Sequence, residues 1–350
     1  MTDPARTAAT DGHEPCVRFE GVGRLALGSR PVPHPDAGEV RVAPLAVGIC
    51  GTDARILEGA YAARPGTILG HEIAGTVVEL GAGVQGLSEG DLVSIEPHLY
   101  CGACRYCRLG WEHLCPSKRA FGVHLDGGMA GSVVVPARLA YRVPDGVDPV
   151  VACMAEPVGC GIHGMDRLDP MSGLPLLIIG SGPAGLMLLA LARRTGVGPI
   201  VVLEPDAARR TAASASGADL VLDPGDEGWR DAALAATGGH GFDQVIEAAG
   251  SATGLATAIE LAARHGRILV YGVAHPDAIT PVRANDIYAR ELTILGAALN
   301  PYTHARAVEL VGDLGLDRLE PGRYPLEAFA DAFEAQRERR HLKVVLTPNP

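Results

Sequence analysis

Four cysteines, Cys101, Cys104, Cys107 and Cys115, fall in the run CGACRYCRLGWEHLC. Short C-x-x-C turns bring neighbouring thiolates onto one ion about 2.3 Å away, and four sulfurs close a tetrahedral sphere with no position left for water or substrate. The spacing predicts a structural zinc, so the chemistry must be sought elsewhere. Two disulfides are the other reading, and eight cysteines in 350 residues without a secretory signal speak against it.

Two further sets of residues could do chemistry. In IIGSGPAGLMLLA, Gly180, Gly182 and Gly185 follow an apolar run and head an amphipathic one. Such glycines permit a tight turn and a close approach of backbone to pyrophosphate, and the helix start offers free N–H groups to phosphate. Glu204 ends the next apolar run, PIVVLE, where a carboxylate can accept hydrogen bonds from an adenosine ribose and repel a 2′-phosphate. NAD is therefore expected over NADP, with Arg209 and Arg210 as the residues able to reverse that preference. The third set is Cys50 in GICGTDA, His71–Glu72 in LGHEIAG and Glu156 in CMAEPVG. A thiolate, an imidazole and one or two carboxylates make a plausible open zinc site, but spacing alone leaves open whether they converge. Cys50 as a core side chain, His71 as a satisfied buried histidine and Glu156 as a helix-start charge remain alternatives at this point.

The elements that must position these groups divide the chain in two. From Cys16 to about Met154, short β-rich segments broken by Gly and Pro predict a barrel-like or sandwich-like domain. From Pro157, apolar strand-sized runs alternate with Ala/Leu-rich helical stretches such as GLMLLALARRTG and TGLATAIELAARHG, the pattern of a parallel sheet covered by helices on both faces. The expected division is a disordered tail at 1–15, a catalytic domain at 16–156, a nucleotide-binding domain at 157–297 and a return to the catalytic domain at 298–350. Phe329 and Phe333 share one face of a predicted helix near the end and read as core.

Composition narrows the partners. A net charge of −11 and 4% aromatic residues leave neither the basic clusters nor the stacking surfaces that nucleic acid requires. The polar N-terminal run MTDPARTAATDGHEP lacks the apolar stretch of a signal peptide, and no apolar run reaches the roughly 18 residues of a membrane span. No nucleic-acid or membrane partner is expected, and the expected location is the cytoplasm.

The order Cys-Gly-Thr-Asp, Gly-His-Glu, four-cysteine lobe, Glu-Pro and GxGxxG resembles the medium-chain zinc-dependent alcohol and polyol dehydrogenase family over essentially the whole chain after the tail. The resemblance implies an α/β protein with a GroES-like β-rich catalytic domain and a doubly wound Rossmann domain, two Zn2+ per chain, and NAD. It matches Cys50, His71 and Glu156 to catalytic zinc ligands, with Glu72 a nearby carboxylate able to exchange with water or Glu156. Asp53 matches the carboxylate that orients the ligand histidine, and Thr52 the hydroxyl that takes the alcohol proton. The implied reaction uses the metal as a Lewis acid while hydride passes to the nicotinamide. Lys343 matches a basic position near the cofactor pyrophosphate. One departure stands out: relatives often continue the proton relay with a histidine where this chain has Arg55.

Gly51 after the first ligand, and glutamate at 156 in place of cysteine, resemble the sorbitol and threonine dehydrogenase branches. The implied substrate is a secondary alcohol or ketone of a polyol, sugar-like or cyclitol compound, aminocyclitols included. An L-threonine 3-dehydrogenase-like activity is the rival, because His98 resembles a substrate-pocket histidine of that branch; a non-catalytic NAD-sensing zinc protein is the rival from another class. In FGVHLDGGMAG, Met129, Gly131 and Ser132 depart from the family loop that borders the polyol pocket, which suggests a less bulky wall. The strand ELTILGA resembles the edge through which relatives pair, so a homodimer or homotetramer is expected.

Overall fold

The computed structural model describes residues 12–350 and divides into two units, with Glu156 ending one stretch and Pro157 opening the next. The first unit comprises the residues up to Glu156, together with His304–Asp313 and Glu320–Pro350; the second comprises Pro157–Thr303 and Leu314–Leu319. The return to the first unit thus begins at His304, and a short piece beyond it belongs to the second.

In the first unit the strands are β1 (His13–Gly21), β2 (Arg24–Pro31), β3 (Glu39–Gly48), β4 (Glu72–Leu80), β5 (Leu92–Ile95), β6 (His98–Leu99), β7 (Arg119–Ala120), β8 (Val133–Pro136) and β9 (Ala140–Arg142). The second unit supplies β10 (Leu176–Ile179), β11 (Ile200–Leu203), β12 (Leu220–Leu222), β13 (Phe242–Glu247), β14 (Ala262–Val270) and β15 (Thr293–Gly296), and the returning segment adds β16 (Gly322–Pro325) and β17 (Val344–Thr347). Because β1 begins at His13, the last residues of the expected tail are paired backbone; residues 1–11 lie outside the described residues.

The first unit is built on a seven-stranded sheet in the order β16-β17-β3-β4-β5-β9, with β8 also paired to β3. Along β3 buried and half-buried positions alternate, so Val40 and Val42 face a core shared with Val77, Val93, Ile95, Val133 and Val135. Phe329 and Phe333, on the helix Phe329–Arg337, pack against a second cluster that holds Ile49, Ile68, Leu69, Met129 and Val344. The central pairings matter most for chemistry. Val345 of β17 lies opposite Gly48 of β3, and Gly48 lies opposite Glu72 of β4, so three neighbouring strands deliver residues 343, 49–50 and 71–72 to one end of the sheet.

The second unit carries a six-stranded, all-parallel sheet in the order β12-β11-β10-β13-β14-β15. Numbered within the unit this is 3-2-1-4-5-6, the doubly wound order that leaves a crevice beyond the carboxyl ends of the strands where the order reverses. Every residue of β10 and β11 is buried, as strands covered on both faces require, and each such side chain contributes about 1.5–3 kcal/mol of burial. The stretch TGLATAIELAARHG reads as one helix, but the helix Ala252–Leu261 stops at Leu261. Ala262 pairs with Phe242 in the sheet, so ladder hydrogen bonds override the helix preference of the alanines.

Candidate metal centre and nucleotide site

Cys50 follows the end of β3 and caps the helix Gly51–Leu57, where Asp53 Oδ2 accepts the Cys50 N–H at 2.8 Å and fixes the turn. His71 and Glu72 arrive at the start of β4. One ligating atom from each of Cys50, His71 and Glu72 lies within 4.8 Å of the other two. His71 and Glu72 are buried, Cys50 is half-buried, and Thr52 Oγ1 is 3.7 Å from the Cys50 sulfur.

The residues fit a zinc ion on three grounds. A thiolate, an imidazole and a carboxylate form a borderline-soft donor set of the kind zinc takes in open sites. Asp53 Oδ1 faces His71 Nδ1 at 3.7 Å, too long for a hydrogen bond, and both atoms are buried without a hydrogen-bond partner. That pairing of carboxylate and ring nitrogen is the one that orients a ligand histidine through its far side. The field is also that of a cation site: burial pushes the His71 pKa down, yet the negative charges of Asp53, Cys50 and Glu156 outweigh it and raise it well above the ordinary value.

Glu156 opens the helix Ala155–Leu168 and is buried. Burial raises its carboxyl above the ordinary range, and the charges of His71, His98, Glu72 and Lys343 act on it, so it faces the same cluster. Its oxygens are not part of the tight set, in which Glu72 stands instead. His98, on β6, is buried and pairs through Nδ1 with Glu96 Oε1 at 3.2 Å. Arg55 lies half-buried in the last turn of the helix that Cys50 caps. Met129 and Ser132 form no open wall: Met129 is fully buried in the core, and Ser132 donates to the buried Glu14 at 2.7 Å.

Lys343 is placed in this cluster as well. It is 4% exposed; its ammonium pairs with the Glu72 carboxylate and donates to the Ile49 carbonyl at 3.2 Å. Nothing local in HLKVVL signals that pairing, and nothing local signals the need for glycine at 48, where a Cβ would collide with the Glu72 carboxylate.

In the lobe, the four cysteine sulfurs also lie within 4.8 Å of one another. Cys104 and Cys107 sulfurs are 3.6 Å apart and Cys101 and Cys107 3.9 Å, which brackets the ~3.8 Å edge of a tetrahedron with 2.3 Å bonds to zinc and is far from the ~2.05 Å of a disulfide. Backbone N–H groups of Ala103 and Cys104 lower the Cys101 pKa to about 6, while burial and the neighbouring cysteine sulfurs raise that of Cys107 to about 12.

The nucleotide half belongs to the second unit. Gly180 follows β10 with φ +94°, and Gly182 caps the eleven-residue helix Pro183–Arg193. A Cβ on Gly185 would collide with the Gly180 carbonyl, so the helix can pack this close to the strand only with glycine. Glu204 lies directly after β11 and is buried; Oε2 accepts from Ser181 N at 2.7 Å and Ser181 Oγ at 3.3 Å, and Oε1 accepts from Asp206 N at 3.1 Å. It therefore ties down the glycine loop, whatever it gives a ribose. Arg210 is held by Asp223 at 2.7 Å and by the Glu204 and Pro205 carbonyls, whereas Arg209 Nη1 stands 3.7 Å from where a Gly182 Cβ would be.

Comparison with known proteins decides the family. The sequence model of the alcohol dehydrogenase GroES-like domain matches residues 36–145, and that of the zinc-binding dehydrogenases matches residues 183–312. The L-threonine 3-dehydrogenase of Pyrococcus horikoshii is 37% identical over 324 residues, 90% of this chain and 92% of that protein. The chain belongs to the medium-chain zinc-dependent dehydrogenases. A second member, the D-arabitol-phosphate dehydrogenase of Enterococcus avium, is 31% identical over 94% of this chain and 96% of its own length. A protein of Sinorhizobium meliloti 1021 described as a zinc-binding dehydrogenase, solved with NADP bound, superposes with a TM-score of 0.92 at 33% identity, covering 96% of this chain and 99% of that one. Members of this family are oxidoreductases, and the fold of this chain is accordingly a GroES-like domain joined to a Rossmann-type parallel sheet.

Proposed function

We propose that this dehydrogenase transfers hydride between NAD and a secondary carbinol of a polyol, sugar-like or cyclitol substrate, using one catalytic and one structural zinc. The observation that carries the reading is the convergence of Cys50, His71 and Glu72 in a buried site backed by Asp53. A zinc ion held there supplies the Lewis acidity that makes an alcohol O–H easier to deprotonate, and a bound nicotinamide supplies the hydride acceptor.

The chain's own residues do the rest. Asp53 holds the His71 ring in the ligating orientation. Thr52, with its hydroxyl close to the Cys50 sulfur, takes the alcohol proton and passes its own to the next acceptor. Arg55 stands where relatives place a histidine, so the proton leaves by another path. Glu156, buried at the same cluster, and Glu72 are the two carboxylates able to serve as the third donor. In the second unit the N–H groups of the loop Gly180–Gly185 cradle the pyrophosphate while Glu204 keeps that loop in place.

The similarity to a D-arabitol-phosphate dehydrogenase supports a polyol substrate, and the similarity to L-threonine 3-dehydrogenases, together with the buried His98, supports L-threonine as the second reading. Glu204 favours NAD, whereas Arg209 beside Gly182 is the group able to bind a 2′-phosphate. Steady-state turnover of the holoenzyme with hexitols, cyclitols and L-threonine, each with NAD and NADP, tests the assignment. Turnover of polyols or cyclitols with NAD is expected. Robust turnover of threonine alone would overturn the substrate, and a large NADP preference would overturn the reading of Glu204.

A further inference from the structure

The hairpin of β1 and β2 is a two-stranded sheet apart from the seven-stranded one. Glu14 and Arg30 stand opposite each other across it and pair through Arg30 Nε and Glu14 Oε1 at 2.9 Å. Their side chains are only 6% and 12% exposed, and an ion pair that deep, serving stability alone, can often be replaced by apolar side chains. The rest of the guanidinium reaches beyond the hairpin. Nη1 donates to Asp126 Oδ2 at 3.0 Å and Nη2 to the Ser132 carbonyl at 2.6 Å, while Ser132 Oγ donates back to Glu14 at 2.7 Å. One planar fork therefore holds both ends of the loop 126–132.

That loop lies against the residues that lead into His71. Asp126 Oδ1 accepts the Ile68 N–H at 3.0 Å, and the N–H groups of Gly127, Met129 and Gly128 donate to the carbonyls of Ile68, Leu69 and Gly70 at 2.8, 3.0 and 2.9 Å. Backbone packs on backbone here. A Cβ at Gly127 or Gly122 would collide with the Gly70 carbonyl, and one at Gly122 would also come within 2.8 Å of the His71 nitrogen. Gly70 has φ +89°, a conformation that glycine adopts without strain. Regular pairing of this stretch begins only at Glu72, the first residue of β4, so the loop sets the course of the chain up to His71. Residues 127 and 128 have no side chains with which to anchor themselves. Strand β1 holds the far half of the loop through Val17 N–H to the Met129 carbonyl at 2.8 Å and Gly131 N–H to the Pro15 carbonyl at 2.9 Å, and Arg30 secures the two ends.

Resting on the metal site proposed above, we infer that Arg30 is a positioning residue for His71: through Asp126 and Ser132 it fixes the loop 126–132, and that loop fixes residues 68–70, which place His71. Shape matters as well as charge, because an ammonium is a point charge without the planar fork that reaches Glu14, Asp126 and the Ser132 carbonyl together.

Amide hydrogen exchange of the purified, zinc-loaded protein reads the brace directly. In Arg30→Met the amides of Ile68, Gly127, Gly128 and Met129 should exchange about tenfold faster than in the wild type, while those of β10 and β11 keep their rates. Acceleration confined to β1 and β2 overturns the inference. This readout does not depend on where the metal sits. A wild-type protein with no metal at Cys50 and His71 defeats the metal reading, whereas unchanged exchange at residues 68 and 127–129 defeats the brace, so the two failures are distinct.

The cadmium-substituted protein gives a second readout, because an all-sulfur site and a mixed sulfur, nitrogen and oxygen site give separate cadmium NMR resonances. In Arg30→Met, chelator should remove metal from the mixed site about tenfold faster, the scale typical of groups that act on metal ligands from behind, while the all-sulfur site is unaffected. Arg30→Lys should resemble Arg30→Met; full recovery of the wild-type rate by lysine would overturn the role of the fork. The double variant Glu14→Leu, Arg30→Met removes the ion pair without leaving a lone buried charge. It should melt near the wild-type temperature and still release the mixed-site metal quickly. Wild-type release from that double variant would show that the pair serves stability alone and would overturn the inference.

Discussion

The lobe of Cys101, Cys104, Cys107 and Cys115 offers four equal sulfurs on a short surface excursion of the chain, one exposed, two half-buried and one buried. Cys50, His71 and Glu72 offer three unlike donors, two of them deeply buried, backed by an orphaned carboxylate oxygen on Asp53 and an ammonium on Lys343. The first set saturates a tetrahedral ion and asks nothing of its surroundings. The second is incomplete, and its neighbours are arranged to act on whatever occupies it. A metal that only holds a loop needs donors; a metal that reacts needs donors, an open position and outer groups that hold the donors in place.

That contrast can be broken by substitution. His71→Ala should give the largest effect on turnover, a loss well beyond the roughly 100-fold typical of outer groups, in a protein whose circular dichroism and melting temperature stay near wild type. An unfolded His71→Ala protein would place the buried site among the structural ones. Cys104→Ser should reverse the pattern. Breaking the closed site should cost about 4 kcal/mol or more in denaturant unfolding, while kcat per folded molecule changes little. If kcat collapses while stability holds, the lobe is catalytic and the division of labour is wrong. The smallest effect is expected at Asp53→Asn, which keeps shape and removes charge: kcat should fall about 10- to 100-fold with zinc content nearly unchanged. Loss of the zinc without loss of kcat per remaining zinc would make Asp53 a binding group alone.

Legibility in the sequence followed the range of the forces involved. The four-cysteine lobe was readable because its donors sit within fifteen residues and local turns bring them together. The glycine loop was readable because a strand, a turn and a helix are consecutive, and the β10 and β11 runs announce a sheet buried on both faces. The second metal cluster was visible only through family resemblance. Its members come from the ends of β3 and β4 and from a helix start at 156, and nothing local ties those positions together until strand register does. Lys343 shows the limit most clearly. In HLKVVL it looks like a solvated lysine or a phosphate ligand, and only the pairing of β17 with β3 carries it to Glu72. Met129 and Ser132 fail in the same way, because their burial depends on the core around Ile68 and on Glu14, both more than fifty residues away in the chain.

Two chemically different zinc sites, one closed and one open, are expected in the first unit. Zinc counted per chain by elemental analysis, alongside turnover in the same samples, tests this most directly. Two zinc ions are predicted in the wild type and one in His71→Ala, with turnover lost together with the missing ion. A fully active wild type with a single zinc, or a His71→Ala protein that keeps both, would rule out an open catalytic zinc at Cys50 and His71.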